Sequence, residues 1–312
     1  MRGRHGLSRT AGCAAHAAAG ATVVVMATLV ERLGYPADRK LLILNADDLG
    51  SCHAANEGIY QALRDGLATS ASLMVPCPWS RGAAAAYRGD DVGVHLTVNA
   101  EHDLVRWGPI THAPSLLDGD GGFPRTVTDL WDHADADEVR RELRAQVERA
   151  ILWGFDVSHL DAHLGAVPGR PEFFDVYLEL AIEFGLPMRL PGPAHAPASG
   201  FPCRELAAEA GVVVADDLLP LYGVGARQAL FEALPGLRPG VTEVRLHPAV
   251  DSPELRAMTP DWSARVDDHN LLVSEPALGD AIAAAGITLI GYRPLRDLMR
   301  QSRHTPAPRP SP

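Results

Sequence analysis

Two adjacent carboxylates, Asp47 and Asp48, directly follow a short apolar run at 41–46. Neighbouring carboxylates in a site of low dielectric repel each other unless a cation or a proton lies between them. The pair therefore predicts that one carboxylate binds a metal ion and the other accepts a proton, although an aspartate here could instead cap the helix that begins near Ser51. Asn45 precedes the pair and could orient one of the carboxylates by hydrogen bonding.

Histidines occur inside two further apolar stretches of the chain. His95 lies in the run at 92–98, and a second stretch reads HLDAH at 159–163. A single histidine in an apolar strand is usually a packed core residue, but two such stretches together favour metal ligation. His159 and His163 would face the same side of a strand about 13 Å apart, too far to bind one ion together. We therefore choose His163, which lies nearer the carboxyl end, as the ligand.

The remaining polar residues of these stretches suggest supporting roles. His159 and Asp161 are expected to be structural, and Asp161 could hold a ligand imidazole in place. His247 ends a late apolar stretch and could protonate the departing amine of an amide, or simply pack before Pro248. One aspartate and two histidines leave positions on a metal ion for water and substrate, and the ion would activate the water and polarise a carbonyl. The pattern predicts metal-assisted hydrolysis with a carboxylate as general base.

The elements that must position these residues alternate from residue 40 to the end. Strands are expected at 41–46, 69–75, 92–98, 157–163, 188–190, 212–215, 242–247 and 288–292, and helices at 54–64, 79–87, 138–153 and 173–184. Residues 99–135 form a long polar excursion. Repeated βα units imply parallel strands with right-handed crossovers, hence a barrel or an open doubly wound sheet. In both architectures functional residues gather at the carboxyl ends of strands, where the aspartate pair and the three candidate histidines fall.

Composition and charge exclude some classes of partner. The chain has 312 residues and a formal net charge of −11, and its basic residues are scattered, so nucleic acid is not an expected partner. The alanine-rich run at 11–25 is too short to span a bilayer, so no membrane partner is expected. The four cysteines lie far apart without a CxxC pair, which favours reduced thiols in a cytoplasmic protein. For such a protein a homodimer is the expected oligomer.

The two ends of the chain differ from the remainder. Residues 1–25 are expected to be a disordered extension or to precede a translation start at Met26, although an export signal would have a similar composition. Residues 26–300 are expected to form a single domain. Residues 301–312 are proline-rich and are expected to form a disordered tail.

Six motifs occur in a consistent order along this domain. They are NADDLG (45–50), TSASLMV (69–75), GVHLT (93–97), SHLDAH (158–163), LHPA (246–249) and GYRPLRD (291–297). Together they resemble the YdjC-like carbohydrate deacetylases, the family that contains chitooligosaccharide deacetylase. The resemblance implies a single-domain, TIM-barrel-like (β/α) barrel that removes an acetyl group from N-acetylated sugars. It also implies one divalent metal ion, magnesium in that family, whereas the ligand types would equally suit zinc, cobalt or manganese.

The matching motifs also imply individual roles. Asp48, His95 and His163 would bind the metal, Asp47 would be the catalytic base, and His247 would be the acid.

The chain departs from the chitooligosaccharide branch directly after SHLDAH. That branch carries further histidines there, whereas this chain continues with Leu164-Gly165. Together with the excursion at 99–135, this predicts a substrate site of different shape. Arg106, Trp107 and the stretch at 262–265 could line that site, because aromatic rings stack on sugars and arginine binds acidic groups; they could equally be packing and surface residues.

Three other functions are compatible with the same residues. A different metal-dependent amidohydrolase or a phosphoesterase could use the same ligands, although a phosphoesterase usually needs two metals or several cationic side chains. A catalytically silent carbohydrate-binding barrel is the third alternative. It would have no use for a general base beside a metal, which favours an enzyme.

Overall fold

The structure, a computed structural model, describes residues 27–195, 201–219 and 221–304. The predicted N-terminal extension at 1–25 lies outside the described residues. The last helix continues to His304, so the first four residues of the predicted tail complete that helix, and 305–312 lie outside the described residues. No helix in the described ranges combines the length and the apolar character needed to cross a bilayer.

Seven parallel strands form the sheet. They are β1 (Lys40–Leu49), β2 (Ser70–Leu73), β3 (Val92–Leu96), β4 (Leu160–Ala162), β5 (Asp217–Leu219), β6 (Gly240–Leu246) and β7 (Ile287–Leu289). The strand order is β4-β3-β2-β1-β6-β5, and β7 pairs with the first residues of β1. The predicted parallel α/β architecture is therefore confirmed, while β5 was not predicted.

The sheet curls into a half-barrel that does not close. Its two ends are β4 and β5, and between them a single parallel bridge joins Leu160 to Met188. The Met188 N–H in turn donates to the carbonyl of Val213 at 3.2 Å. The strands predicted at 188–190 and 212–215 are thus short extended segments. The expected barrel is barrel-like but open along this side, which we call the seam.

Helices cover the outside of the sheet. They are α1 (Leu29–Arg32), α2 (His53–Arg64), α3 (Ser80–Ala86), α4 (Val127–His133), α5 (Ala136–Leu152), α6 (Pro171–Phe184), α7 (Cys203–Glu209), α8 (Ala226–Ala233), α9 (Pro253–Met258), α10 (Trp262–Val273), α11 (Pro276–Ala284) and α12 (Arg293–His304). The longest, α5, buries Val139, Leu143 and Val147, whose spacing of four places one apolar stripe on the sheet. The residue after α6 is Gly185 with a φ of 62°, a conformation that favours glycine at a helix end.

The central strand explains the apolar run that opens the domain. Leu41, Leu42, Ile43 and Leu44 of β1 are all buried, as expected for a parallel strand covered on both faces. On β3, Gly93 leaves room for His159, which directly precedes β4, because a Cβ at Gly93 would lie 2.4 Å from His159 Nδ1. Side chains therefore pack closely around β1 and β3.

The excursion at 99–135 is an ordered part of the domain. It contains α4 and buries Trp107, Leu116 and Phe123 in the core. Three of the four cysteines predicted to be reduced, Cys52, Cys77 and Cys203, are free and buried in the structure; the fourth lies outside the described residues.

Candidate functional site

Asp48 sits at an irregular end of β1, where the register with β2 shifts. Its φ is 71°, a left-handed conformation that aspartate tolerates better than most residues. Its Oδ2 accepts a hydrogen bond from Arg265 at 2.7 Å, whereas its Oδ1 is buried and has no hydrogen-bond partner among the described residues. Burial would raise the pKa of Asp48, but Arg265 and the nearby histidines hold it well below its usual value. The chain thus places one ionised, unpaired oxygen at this strand end.

Two histidines are oriented toward that oxygen by carboxylates. His95, at the end of β3, donates through Nδ1 to Asp161 at 2.6 Å. His163, directly after β4, donates through Nε2 to Glu101 at 2.9 Å. Because a carboxylate can only accept, these bonds leave His95 Nε2 and His163 Nδ1 as acceptors whenever the two rings are neutral. Both inner nitrogens face Asp48.

The three inner atoms lie close enough to share one cation. His95 Nε2 and His163 Nδ1 lie 3.5 Å and 3.7 Å from Asp48 Oδ1 and 3.2 Å from each other. Three acceptor atoms this close repel one another unless positive charge lies between them. These residues therefore fit a divalent cation held by one carboxylate and two imidazoles, the set predicted from the motifs.

Electrostatics at His95 favour the same conclusion. Burial alone would lower the pKa of this imidazole, but Asp161, Asp47 and Asp48 outweigh burial and raise it to about 9. The pKa of Glu101 shifts in the opposite direction. Burial would raise this pKa, but His163 lowers it to about 2. The site attracts positive charge, either as a proton or as a metal ion.

Asp47 points into the half-barrel and forms a buried ion pair. Both of its oxygens accept from the Arg189 guanidinium, at 2.6 Å and 2.8 Å, and Asn45 donates to one of them at 2.8 Å. Burial would raise the pKa of Asp47, but Arg189 lowers it below the usual range. Asp47 is therefore ionised at neutral pH, and Asn45 orients it as the sequence suggested.

Arg189 also contacts two other buried carboxylates. Its guanidinium lies 2.8 Å from Asp161 and 2.7 Å from Glu243, and the Tyr292 hydroxyl donates to the second oxygen of Glu243 at 2.5 Å. One cation thus pairs with carboxylates from β1, β4 and β6. No local pattern singles out this arginine, which lies 142 residues from Asp47.

Replacing Arg189 by methionine is expected to destabilise the protein by about 3–5 kcal/mol, because three buried carboxylates lose their cation. Urea unfolding followed by circular dichroism would measure the change. As a matched control, Arg140→Met removes a half-exposed surface arginine with two carboxylate partners and should cost about 1 kcal/mol or less. Equal stabilities of the two variants would contradict the central role of Arg189.

His247 lies just beyond β6 beside the aspartate pair. Its backbone N–H donates to Asp268 at 2.8 Å, and its Nδ1 is buried without a hydrogen-bond partner among the described residues. Burial lowers the pKa of the imidazole to about 4, so His247 is neutral at pH 7. It retains a free nitrogen in the site, and it would act as an acid only after taking up a proton.

These residues line one cleft of about 240 Å³ at the carboxyl edge of the sheet. All five residues predicted as ligands, base and acid border it. Glu101, Tyr222 and Arg245 line it too, although no sequence motif points to them. The Nε of Arg245 is buried without a hydrogen-bond partner among the described residues, so it is available to a ligand. The cleft is also lined by Leu164 and by Arg265, from the stretch predicted at 262–265.

The predicted substrate contacts at Arg106 and Trp107 are placed differently. Arg106 donates to the carbonyls of Ala100 and Phe123 and pairs with Asp118, so it ties the excursion together and does not border the cleft. Trp107 is buried behind His163, with ring centroids 6.4 Å apart, and also lies outside the lining. Neither residue borders the cleft, so a contact of Arg106 or Trp107 with the substrate stays a prediction, and the contacts seen in the structure support the excursion and the site.

The other histidine of the motif is structural, as expected. His159 is fully buried and stacks on Tyr292, with ring centroids 3.7 Å apart. Burial lowers its pKa to about 3, so the ring is neutral.

The fold and the site together define a class: α/β proteins whose parallel sheet curls into a half-barrel and gathers aspartate and histidine side chains at its carboxyl edge. Comparison with known proteins gives the family. The model of the YdjC-like proteins matches residues 41–283, and the chain belongs to this family.

Similar proteins cover most of the chain. A carbohydrate deacetylase of Thermus thermophilus is 40% identical over 261 residues, 82% of this chain and 94% of that protein. A carbohydrate deacetylase of Geobacillus stearothermophilus is 32% identical over 257 residues, 80% of this chain and 96% of that protein. A solved structure from Enterococcus faecalis, whose given name refers to cleavage of cellobiose phosphate, superposes with a TM-score of 0.74 at 27% identity and covers 82% of this chain and 99% of that one.

Proposed function

We propose that this protein is a metal-dependent hydrolase that removes an N-acetyl group from an amino-sugar-containing carbohydrate. One observation carries the proposal: two imidazoles, each oriented by a carboxylate, face the unpaired oxygen of Asp48 within 3.7 Å. The relatives named carbohydrate deacetylase support acetyl as the group that is removed and a carbohydrate as the substrate.

Asp48, His95 and His163 would hold the metal ion. When bound, the ion supplies an activated water and polarises the acetamide carbonyl. Magnesium is the metal of the resembled family, but two imidazole ligands also suit zinc, cobalt or manganese. Asp161 and Glu101 keep the ligand rings in place. Loss of such a partner typically lowers metal affinity or activity tenfold to a hundredfold.

Asp47 is the base in this proposal. Its ion pair with Arg189 keeps it ionised and fixed, so it is ready to accept a proton at neutral pH. The same ion pair makes it a weak base, since efficient proton transfer favours a pKa near the working pH. Asp47 can therefore deprotonate only a water molecule whose pKa is lowered.

His247 is the acid in this proposal. Its ring is neutral at pH 7, so it must first receive a proton and then pass it to the amine. The unpartnered Nδ1 gives it the free position that such a transfer requires.

Acetate release by metal-stripped and metal-restored protein tests the proposal. A panel of N-acetylated mono- and oligosaccharides should contain at least one member that yields acetate only when a divalent metal is present. Restoring magnesium, manganese, cobalt and zinc separately would identify the metal. Absence of acetate from every sugar, in protein that binds one cation per chain, would overturn the assignment.

One observation favours a second candidate. Arg245 and Arg265 bring two guanidiniums into the cleft, which meets part of the requirement of a phosphoesterase. Release of phosphate from phosphorylated sugars by the metal-restored protein, without acetate, would support this reaction instead.

A further inference from the structure

The cleft is bordered by residues that follow both ends of the curled sheet. β4 and β5 are the two ends of the curled sheet, and each is followed by a residue that lines the cleft. Leu164 follows β4 through His163, and Tyr222 follows β5. Both side chains are unusually exposed for large hydrophobic groups, at 48% and 53%. Two large side chains with apolar surface therefore flank the cleft, one after each end strand.

Leu164 is held in a conformation that disfavours it. Its φ is 53°, in the left-handed region, where a residue with a branched side chain is strained by about 1–2 kcal/mol. Glycine would adopt this conformation without strain, and the chain uses Gly165 at a positive φ directly afterwards. Folding alone gives no reason for leucine here, because almost half of the side chain faces solvent. Strain of this kind concentrates at ligand-binding positions.

Tyr222 is fixed at its position from two sides. Its hydroxyl donates to Asp261, a carboxylate that also lies 3.6 Å from Arg265. Its ring meets the imidazole of His247 edge to face, with centroids 5.0 Å apart. The aromatic ring is thus held beside the proposed acid while half of its surface stays open.

We propose that Leu164 and Tyr222 form a clamp for the sugar ring that carries the acetamide. The inference rests on the proposed function and adds the residues that select a pyranose. The faces of a sugar ring carry C–H groups, which pack against aromatic and aliphatic surface, while the acetamide extends toward the charged residues deeper in the cleft. Single exposed apolar side chains need no explanation, but these two border one cleft, one is strained and the other is anchored.

Two substitutions test the clamp. Leu164→Gly should raise KM for the best sugar substrate of the panel about tenfold, the effect of about 1.4 kcal/mol of lost contact, with kcat changed less than KM. The same variant should unfold at an equal or higher temperature, since glycine removes the strain. Tyr222→Ala should also raise KM about tenfold, while Tyr222→Phe, which keeps the ring and loses only the hydrogen bond to Asp261, should raise KM less than Tyr222→Ala.

Further measurements separate the clamp from the reaction itself. Hydrolysis of ethyl acetate, which has no ring, should fall far less in Leu164→Gly than hydrolysis of the sugar substrate. Calorimetric binding of the same sugar to Asp47→Asn protein, with and without Leu164→Gly, should show the same tenfold loss of affinity. Unchanged KM and affinity in both clamp variants, or an equal loss on the ringless ester, would overturn the clamp. Absence of acetate from wild type would instead overturn the proposed function.

Discussion

An Asp48→Asn variant is expected to lose metal binding and about 10³-fold or more in kcat. A catalytic metal contributes several kcal/mol to the transition state, and each 1.4 kcal/mol corresponds to a factor of ten. The neutral amide leaves the two inner imidazole nitrogens without the charged oxygen that completes the site. Metal content by mass spectrometry and acetate release by an enzymatic assay would measure the two losses.

Asparagine is the substitution of choice at this position. Asp48 has a φ of 71°, and asparagine tolerates the left-handed region, so the variant should fold. His133→Ala, which removes a largely exposed histidine, serves as the control and should keep metal and turnover. If Asp48→Asn retains one cation per chain and full activity, the metal site lies elsewhere.

Asp47→Asn is expected to lower kcat by about 10²–10⁴-fold, the usual contribution of a general base, while the metal stays bound. The amide has the same shape as the carboxylate and can still accept a hydrogen bond from Arg189. Arg189 also keeps two other carboxylate partners, Asp161 and Glu243, so the fold should survive. Single-turnover acetate release by the metal-loaded variant measures the chemical step directly.

A surface carboxylate provides the control for Asp47→Asn. Asp103 is largely exposed, and Asp103→Asn should leave kcat unchanged. Turnover of Asp47→Asn within a factor of two of wild type would exclude Asp47 as the base. Glu101, the remaining acidic group that lines the cleft apart from Asp48, would then be the next residue to test.

The sequence predicted the part of the site that lies on regular strands. Asp47, Asp48, His95 and His163 were placed at strand ends because short apolar runs and the rule for parallel sheets locate them without long-range information. The structure brings all four into one cleft. The choice of His163 over His159 also followed from local geometry, since a strand separates the two rings.

The parts that were missed depend on distant contacts. Arg189 and Asp47 are 142 residues apart, and Arg265 and Asp48 are 217 apart, so no local pattern reveals either pair. Arg106 was proposed to line the substrate site because arginine binds acidic groups, but its partners in the structure are Asp118 and backbone carbonyls that only the folded excursion supplies. β5 has three residues, too few for an alternation of apolar and polar residues to be recognised.

The arrangement around Arg189 has a consequence for how the chain assembles. Its carboxylate partners come from β1, β4 and β6, so no pair of neighbouring elements can form the group alone. Any intermediate that buries some of these strands without the others would carry uncompensated charge. Long-range contacts of this kind form slowly, because the intervening chain must first be closed into a loop. We therefore expect β1, β4 and β6 to come together late in folding and in one cooperative step around the Arg189 guanidinium. The site at the carboxyl edge of the sheet would then form last.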